Sequence, residues 1–110
     1  MEITHIVLFQ FKAGVPAESV NDVCARMLAL KDKCIHPTRQ QPYIKAAKGG
    51  RDNSTEGLQD GITHAFVVEF ENDEDRDYYA KNDPAHLGFV GSLGEVVEKI
   101  RVVDFADGVF

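Results

Sequence analysis

The chain is predicted to be one α+β domain of β-α-β-β-α-β order, with helices on one face of a four-stranded antiparallel sheet. Three observations predict this. Residues 3–11 and 62–70 alternate apolar positions at the period of a strand. Residues 16–33 repeat apolar positions at helical spacing. Two helix-starting signals, Asn72 and Asp83-Pro84, follow the second strong strand. A chain of 110 residues has room for one such domain.

The elements follow in order. In 3–11, Ile3, His5, Val7, Phe9 and Phe11 share one face, and Ile6 and Leu8 lie on the other. Both faces are apolar in the middle, so both are predicted to be buried. Ala13-Gly14-Val15-Pro16 forms a turn, and Pro16 starts a helix to about Lys33. Val20, Val23, Met27 and Leu30, with Cys24 beside them, give that helix one apolar stripe to lay on a sheet. Residues 35–41 are a polar connection with His36-Pro37 as a loop pair, and 42–48 a second, weaker strand. Residues 49–60 are turn-rich and read as an exposed loop anchored by Leu58. In 62–70, Ile62, His64, Phe66, Val68 and Phe70 share a face, and Ala65 and Val67 the other. Asn72 caps the second helix, with Asp73, Glu74 and Asp75 in its electropositive first turn. One of Tyr78 and Tyr79 is expected to pack inward with its hydroxyl at a polar edge. After Asp83-Pro84, Phe89, Leu93, Val96, Val97 and Ile100 extend a third helical segment. Gly88, Gly91 and Gly94 weaken that segment by roughly 1 kcal/mol each. They imply a close backbone approach or a short, irregular helix. Residues 101–105 are the last strand, and 106–110 a tail.

A formal charge of −6 without any Lys/Arg cluster argues against a nucleic-acid or anionic-membrane surface. No apolar run approaches the length of a transmembrane helix. Met1-Glu2 leads directly into a strand pattern, so no signal peptide and a cytoplasmic location are expected. Cys24 and Cys34 match no common zinc or redox spacing, and on one helix they would stand about 15 Å apart. Both are expected to be free thiols. A short chain with Val7, Phe9, Phe66, Val68 and Phe70 on its strands carries more apolar surface than one layer of helices covers. The simplest cover is a second copy, sheet against sheet about a two-fold axis, closing a shared barrel.

The chemistry centres on Asp83-Pro84-Ala85-His86-Leu87-Gly88-Phe89. Asp83 caps the first turn, and Pro84 suits the first helical position. The helix N-terminus disfavours an added positive charge on His86. A neutral imidazole is a usable base. The plainer alternative is that His86 only completes a cap. His5, His64 and His86 each sit near the start of an element, but none belongs to a closely spaced set such as His-Glu-x-x-His. No metal is therefore expected. Ser54 and Cys24 lack an adjacent base, so nucleophilic catalysis is not supported.

Four stretches resemble a known family: residues 4–12 (THIVLFQFK), 61–71 (GITHAFVVEFE), 83–89 (DPAHLGF) and 102–105 (VVDF). The chain is identified on them as similar to the stress-responsive dimeric α/β barrel, or Dabb, family over nearly its whole length. The resemblance implies a ferredoxin-like protomer that dimerises through its sheet. Relatives include plant stress-induced proteins and plant polyketide cyclases that perform intramolecular aldol condensation without metal or cofactor. In those cyclases a histidine of the motif is the base, and it matches His86. Histidines matching His5 and His64 line the relatives' pocket. The assisting tyrosine falls four residues before the motif proline, which is Ala80 here, with Tyr79 and Tyr78 next to it.

Two function classes follow. The first is an enzyme moving protons on a small apolar or aromatic carbonyl compound as a cyclase, aldolase-type enzyme or isomerase. His86 would be the base and Tyr79, or Tyr78, the donor to a developing oxyanion. His5 and His64 would orient the ligand against Val7, Phe9, Phe66 and Phe89. The second is a non-catalytic stress-responsive homodimer, or a binder of small ligands. An open pocket holding His86, His5 and a tyrosine hydroxyl favours the first, and a closed apolar one the second.

Overall fold

The computed structural model describes residues 1–110. In order, the elements are β1 (Ile3–Phe11), α1 (Ala17–Lys33), β2 (Ile44–Arg51), β3 (His64–Phe70), α2 (Asp73–Lys81), α3 (Pro84–Gly91) and β4 (Val97–Phe105). The strands form one sheet in the order β2-β3-β1-β4, every neighbouring pair antiparallel. This is the expected ferredoxin-like arrangement, with α2 and α3 together in the place of the second helix.

Alternation along β1 decides which face is core. His5, Val7, Phe9 and Phe11 are buried, while Thr4, Ile6, Leu8 and Gln10 between them are half-buried. On β3, Phe66, Val68 and Phe70 are buried, and Ala65 is exposed. The apolar stripe of α1, Val23, Met27 and Leu30, joins these strand residues in one core with Tyr79 and Phe89. Val7, Phe9, Phe66 and Val68 therefore face the helices of their own protomer. This corrects the expectation that they would meet a second copy. The other face carries the alternate set. Ile6 stands opposite Val67 and Val103, and Leu8 opposite Ala65 and Arg101. Cross-strand partners share a face, so Ile6, Leu8, Val67, Val103 and Phe105 form an apolar layer without helices over it. Val103 is 57% exposed and Phe105 43%.

The third helix is shorter than predicted. α3 stops at Gly91, and residues 97–100 belong to β4. Val96, Val97 and Ile100 match helical spacing, but β-branched residues pack well on a pleated surface, and pairing with β1 secures the strand. A side chain at Gly88, Gly91 or Gly94 would meet nothing within 4 Å. These glycines mark a short helix rather than a close approach. Gly49 is different. A Cβ there would fall on the Phe66 ring and 2.7 Å from the Ala65 carbonyl oxygen. Only glycine lets β2 cross β3 there without displacement. The strand runs on to Arg51, past the predicted end at Lys48, and β3 begins at His64 rather than at 62. Both cysteines are free thiols. No helix is long and apolar enough to cross a membrane.

Candidate functional site

The site is assembled where α2 meets α3 above the start of β1. Asn72 accepts a 2.8 Å hydrogen bond from Asp75 N–H, so α2 begins where its cap residue stands. α2 brings Tyr79 inward, 1% exposed, against Phe70 and His5. Asp83 then starts α3. One carboxylate oxygen accepts from Ala85 N–H at 2.9 Å and His86 N–H at 3.4 Å. The other accepts the Tyr43 hydroxyl at 2.6 Å. Asp83 is 1% exposed, so it is a cap tied into the core.

This cap aims the His86 ring at Tyr79. The two rings stack with centroids 3.9 Å apart. His86 Nδ1 is buried and has no hydrogen-bond partner. Burial lowers the His86 pKa most. The nearby Tyr79 carbonyl opposes that, although it makes no well-formed hydrogen bond; His5 lowers the pKa further, and Asp83 raises it. The ring is thus held neutral. Burial also pushes the Tyr79 phenol well above its ordinary value, helped by Cys34 and Asp83, so it stays a donor. Cys34 itself is fully buried, and its thiol is pushed up to about 12 by burial first and by Asp83 next.

His5 completes the group. It lies edge-on to Tyr79 at 5.6 Å. Its Nδ1 is 2.6 Å from Asp104 Oδ1, across the register that sets His5 opposite Asp104. The second Asp104 oxygen accepts from Arg76 at 3.0 Å. A carboxylate at Nδ1 selects the tautomer that leaves Nε2 as acceptor. The arrangement therefore offers a neutral imidazole, His86, and a phenol able to give a proton, with the His5 ring held beside them by Asp104.

The predicted site residues divide. His5, Tyr79 and His86 come together. His64 does not join them: it stands opposite Phe9, four residues along β1 from His5, or roughly 13 Å at ~3.3 Å per residue. Tyr78 turns to the other side, against Tyr43 and His36. Val7, Phe9, Phe66 and Phe89 are core side chains, Phe89 lying beneath the Arg26 guanidinium at 5.5 Å. Two clefts of about 650 and 600 Å³ lie elsewhere. One is on the open sheet face beside Leu8, Leu58 and Val67, and the other is next to His64. Neither includes His86 or Tyr79, contrary to the expectation of a cavity around His86. No three His, Cys, Asp or Glu side chains converge as a metal site would require.

Sequence reasoning missed Asp104, Arg76, Tyr43 and Cys34. Asp104 was within reach: with β4 paired to β1, a carboxylate falls opposite His5. Tyr43 and Cys34 meet Asp83 only through the tertiary fold and left no local signal.

Comparison with known proteins agrees with this architecture. The Stress responsive A/B Barrel Domain (Dabb) family model matches residues 3–107. The stress-response A/B barrel domain-containing protein HS1 of Arabidopsis thaliana is 31% identical over 103 residues, 94% of this chain and 87% of that protein. The crystal structure of At3g17210 from Arabidopsis thaliana matches at 30% identity and a TM-score of 0.79, over 98% of this chain and 97% of the other. The hydroxynitrile lyase of Passiflora edulis matches at 24% identity and a TM-score of 0.83, over 99% and 96%. A further neighbour, from Thermobifida fusca, is described as a dimeric ferredoxin-like protein; it has 23% identity and a TM-score of 0.70, over 96% and 91%. With the family model spanning almost the whole sequence and the fold in place, the chain belongs to the stress-responsive A/B barrel domain (Dabb) family.

Proposed function

We propose that this protein is a cytoplasmic homodimer that moves protons on a small carbonyl compound, with His86 as base, Tyr79 as donor and His5 as the orienting imidazole. The reactions in reach are those of a cyclase, an aldolase-type enzyme or an isomerase. The observation that carries this reading is the buried, unpartnered Nδ1 of His86. Buried polar atoms in native proteins are nearly always paired, and a catalytic role is one of the reasons for an exception. A neutral histidine with a free nitrogen, stacked on a protonated tyrosine, is poised to take a proton from carbon. The fold hosts catalysis elsewhere, since a structural neighbour is a hydroxynitrile lyase; at 24% identity that likeness carries the fold and not the reaction. For the dimer, the support is the layer of Ile6, Leu8, Val67, Val103 and Phe105 on the face without helices, together with the dimeric state described for a neighbour.

The test is exchange of carbon-bound protons of 2,4-pentanedione in heavy water, followed by NMR. The expected result is catalysed exchange that falls by about 10²–10⁴ in His86→Ala, the usual worth of one general base. That variant should lose about 0.5–1.5 kcal/mol of stability, the worth of the ring stacked on Tyr79, because Asp83 still caps through the backbone of residue 86. A stability loss above that scale with exchange unchanged makes His86 structural.

One observation favours a second reading, a non-catalytic homodimer that binds small ligands. Tyr79 is 1% exposed, and the two clefts of useful size lie away from it. Ligand binding that survives His86→Ala, without catalysed exchange in the unmodified protein, selects this reading.

A further inference from the structure

The cleft beside His64 has a composition that the proton-transfer site does not use. It encloses about 600 Å³ between the end of β1, the start of α1 and the 52–63 loop, a size ordinary for small-molecule sites. Phe11, Val15, Val20 and Ile62 supply an apolar side. Arg51 and His64 stand opposite one another on the edge pair β2–β3. Arg26, Arg39 and Arg76 each pair with a carboxylate, whereas Arg51 enters no ion pair.

Hydrogen bonds through Thr63 hold the His64 ring in place. Thr63 Oγ1 donates its one proton to the Phe9 carbonyl oxygen at 3.2 Å. The same hydroxyl oxygen lies 2.9 Å from His64 Nδ1 and accepts from Phe11 N–H at 3.4 Å. His64 Nε2 makes no hydrogen bond within the protein and is free to meet a ligand. The other charged groups on the cleft are Lys12 and Asp52. Lys12 donates to the Gly94 carbonyl at 3.0 Å. Both Asp52 oxygens are occupied within the loop, by Ser54 N–H at 3.1 Å and the Gln59 amide at 2.7 Å.

We infer that this cleft binds a small monocarboxylate with an aliphatic or aromatic tail, its carboxylate between Arg51 and His64 and its tail along Phe11, Val20 and Ile62. Arg51 and Lys12 set against Asp52 leave a net single positive charge on the cleft, which suits a single negative charge better than a phosphate dianion. Carboxylate–arginine pairing is commonly bidentate and charge-assisted. Burial, with a lesser contribution from Arg51, lowers the His64 pKa in the empty protein. Binding is therefore expected to tighten as the pH falls from about 6.5, the ordinary histidine value, toward the lowered value of the empty protein, as His64 takes up its proton.

The experiment is an NMR titration with hexanoate, with hexanol and inorganic phosphate as comparators. The His64 ring and the Ile62 methyls are the reporters. Saturable hexanoate binding is expected, weakened about tenfold or more in Arg51→Gln, the loss of one charge-assisted hydrogen bond. Arg51 is exposed, so that variant is expected to fold. His86→Ala should leave hexanoate affinity unchanged, which separates this site from the proton-transfer site. Hexanol binding as tightly as hexanoate overturns the proposal, because the cleft is then merely apolar. Phosphate binding as tightly overturns the choice of a carboxylate, and absence of saturable binding overturns the site.

Discussion

Replacing Asp83 with alanine tests the architecture that aims His86. Asp83 accepts three hydrogen bonds, from Ala85 N–H, His86 N–H and the Tyr43 hydroxyl. Loss of the cap is worth about 1 kcal/mol. The Tyr43 hydroxyl, buried with its residue at 5% exposure, is then left without its acceptor, at about 1–3 kcal/mol. The sum is about 2–4 kcal/mol, a large share of the 5–15 kcal/mol typical of a domain. With a urea dependence of about 1–3 kcal/mol per molar, the unfolding midpoint should fall by about 0.7–4 M at fixed protein concentration. The same change in a Tyr43→Phe background should cost only the cap, about 1 kcal/mol, because no hydroxyl is stranded. Two results refute the reasoning: a loss below about 1 kcal/mol in the native background, or an equal loss in both backgrounds.

Four further outcomes are expected. Val103→Asp, on the open sheet face, should convert a dimer to monomers in light scattering without changing the helical circular dichroism. A stable monomer of the unmodified protein would remove the dimer altogether. Gly49→Ala should destabilise by about 1–3 kcal/mol, the scale of overpacking, because its new methyl group meets Phe66 and the Ala65 carbonyl; an unchanged melting temperature contradicts that. His86 and His64 both have lowered folded pKa values, so below about pH 6.5 the unfolded chain binds protons that the folded chain refuses. Stability from these rings is complete above about pH 6.5 and declines as the pH falls toward their folded values, a slope that His86→Phe should reduce in denaturant titrations at several pH values. Cys34, buried with its thiol pushed up to about 12, should resist thiol reagents in the native state while Cys24 reacts first, and equal rates would contradict the burial.

Local signals carried much of the fold. Asn72 and Asp83-Pro84 start helices where they stand because capping is settled within a few residues. The period of β1 and β3 placed each side chain on the correct relative face. It left open which face meets the helices, since Ile6 and Leu8 are as apolar as Val7 and Phe9; the α1 stripe decides that only in three dimensions. The β4 boundary was misplaced because Val96, Val97 and Ile100 satisfy helical spacing, and only pairing with β1 separates the two readings. In the site, His86 was legible from the family motif and His5 from the resemblance of the first strand, while Tyr79 stands one residue from Ala80, the position of the relatives' tyrosine. His64 was misplaced because a shared strand face says nothing of position along it. Asp104 required the cross-strand register.

The most direct test of the central claim is the pH dependence of proton exchange on 2,4-pentanedione by the unmodified protein. A base held neutral by burial predicts a catalysed rate that rises with pH through a value below about 6.5, the ordinary histidine value, and is flat by pH 7. An inflection at or above about 6.5, or exchange no faster than that of His86→Ala at any pH, contradicts the assignment of His86 as the base.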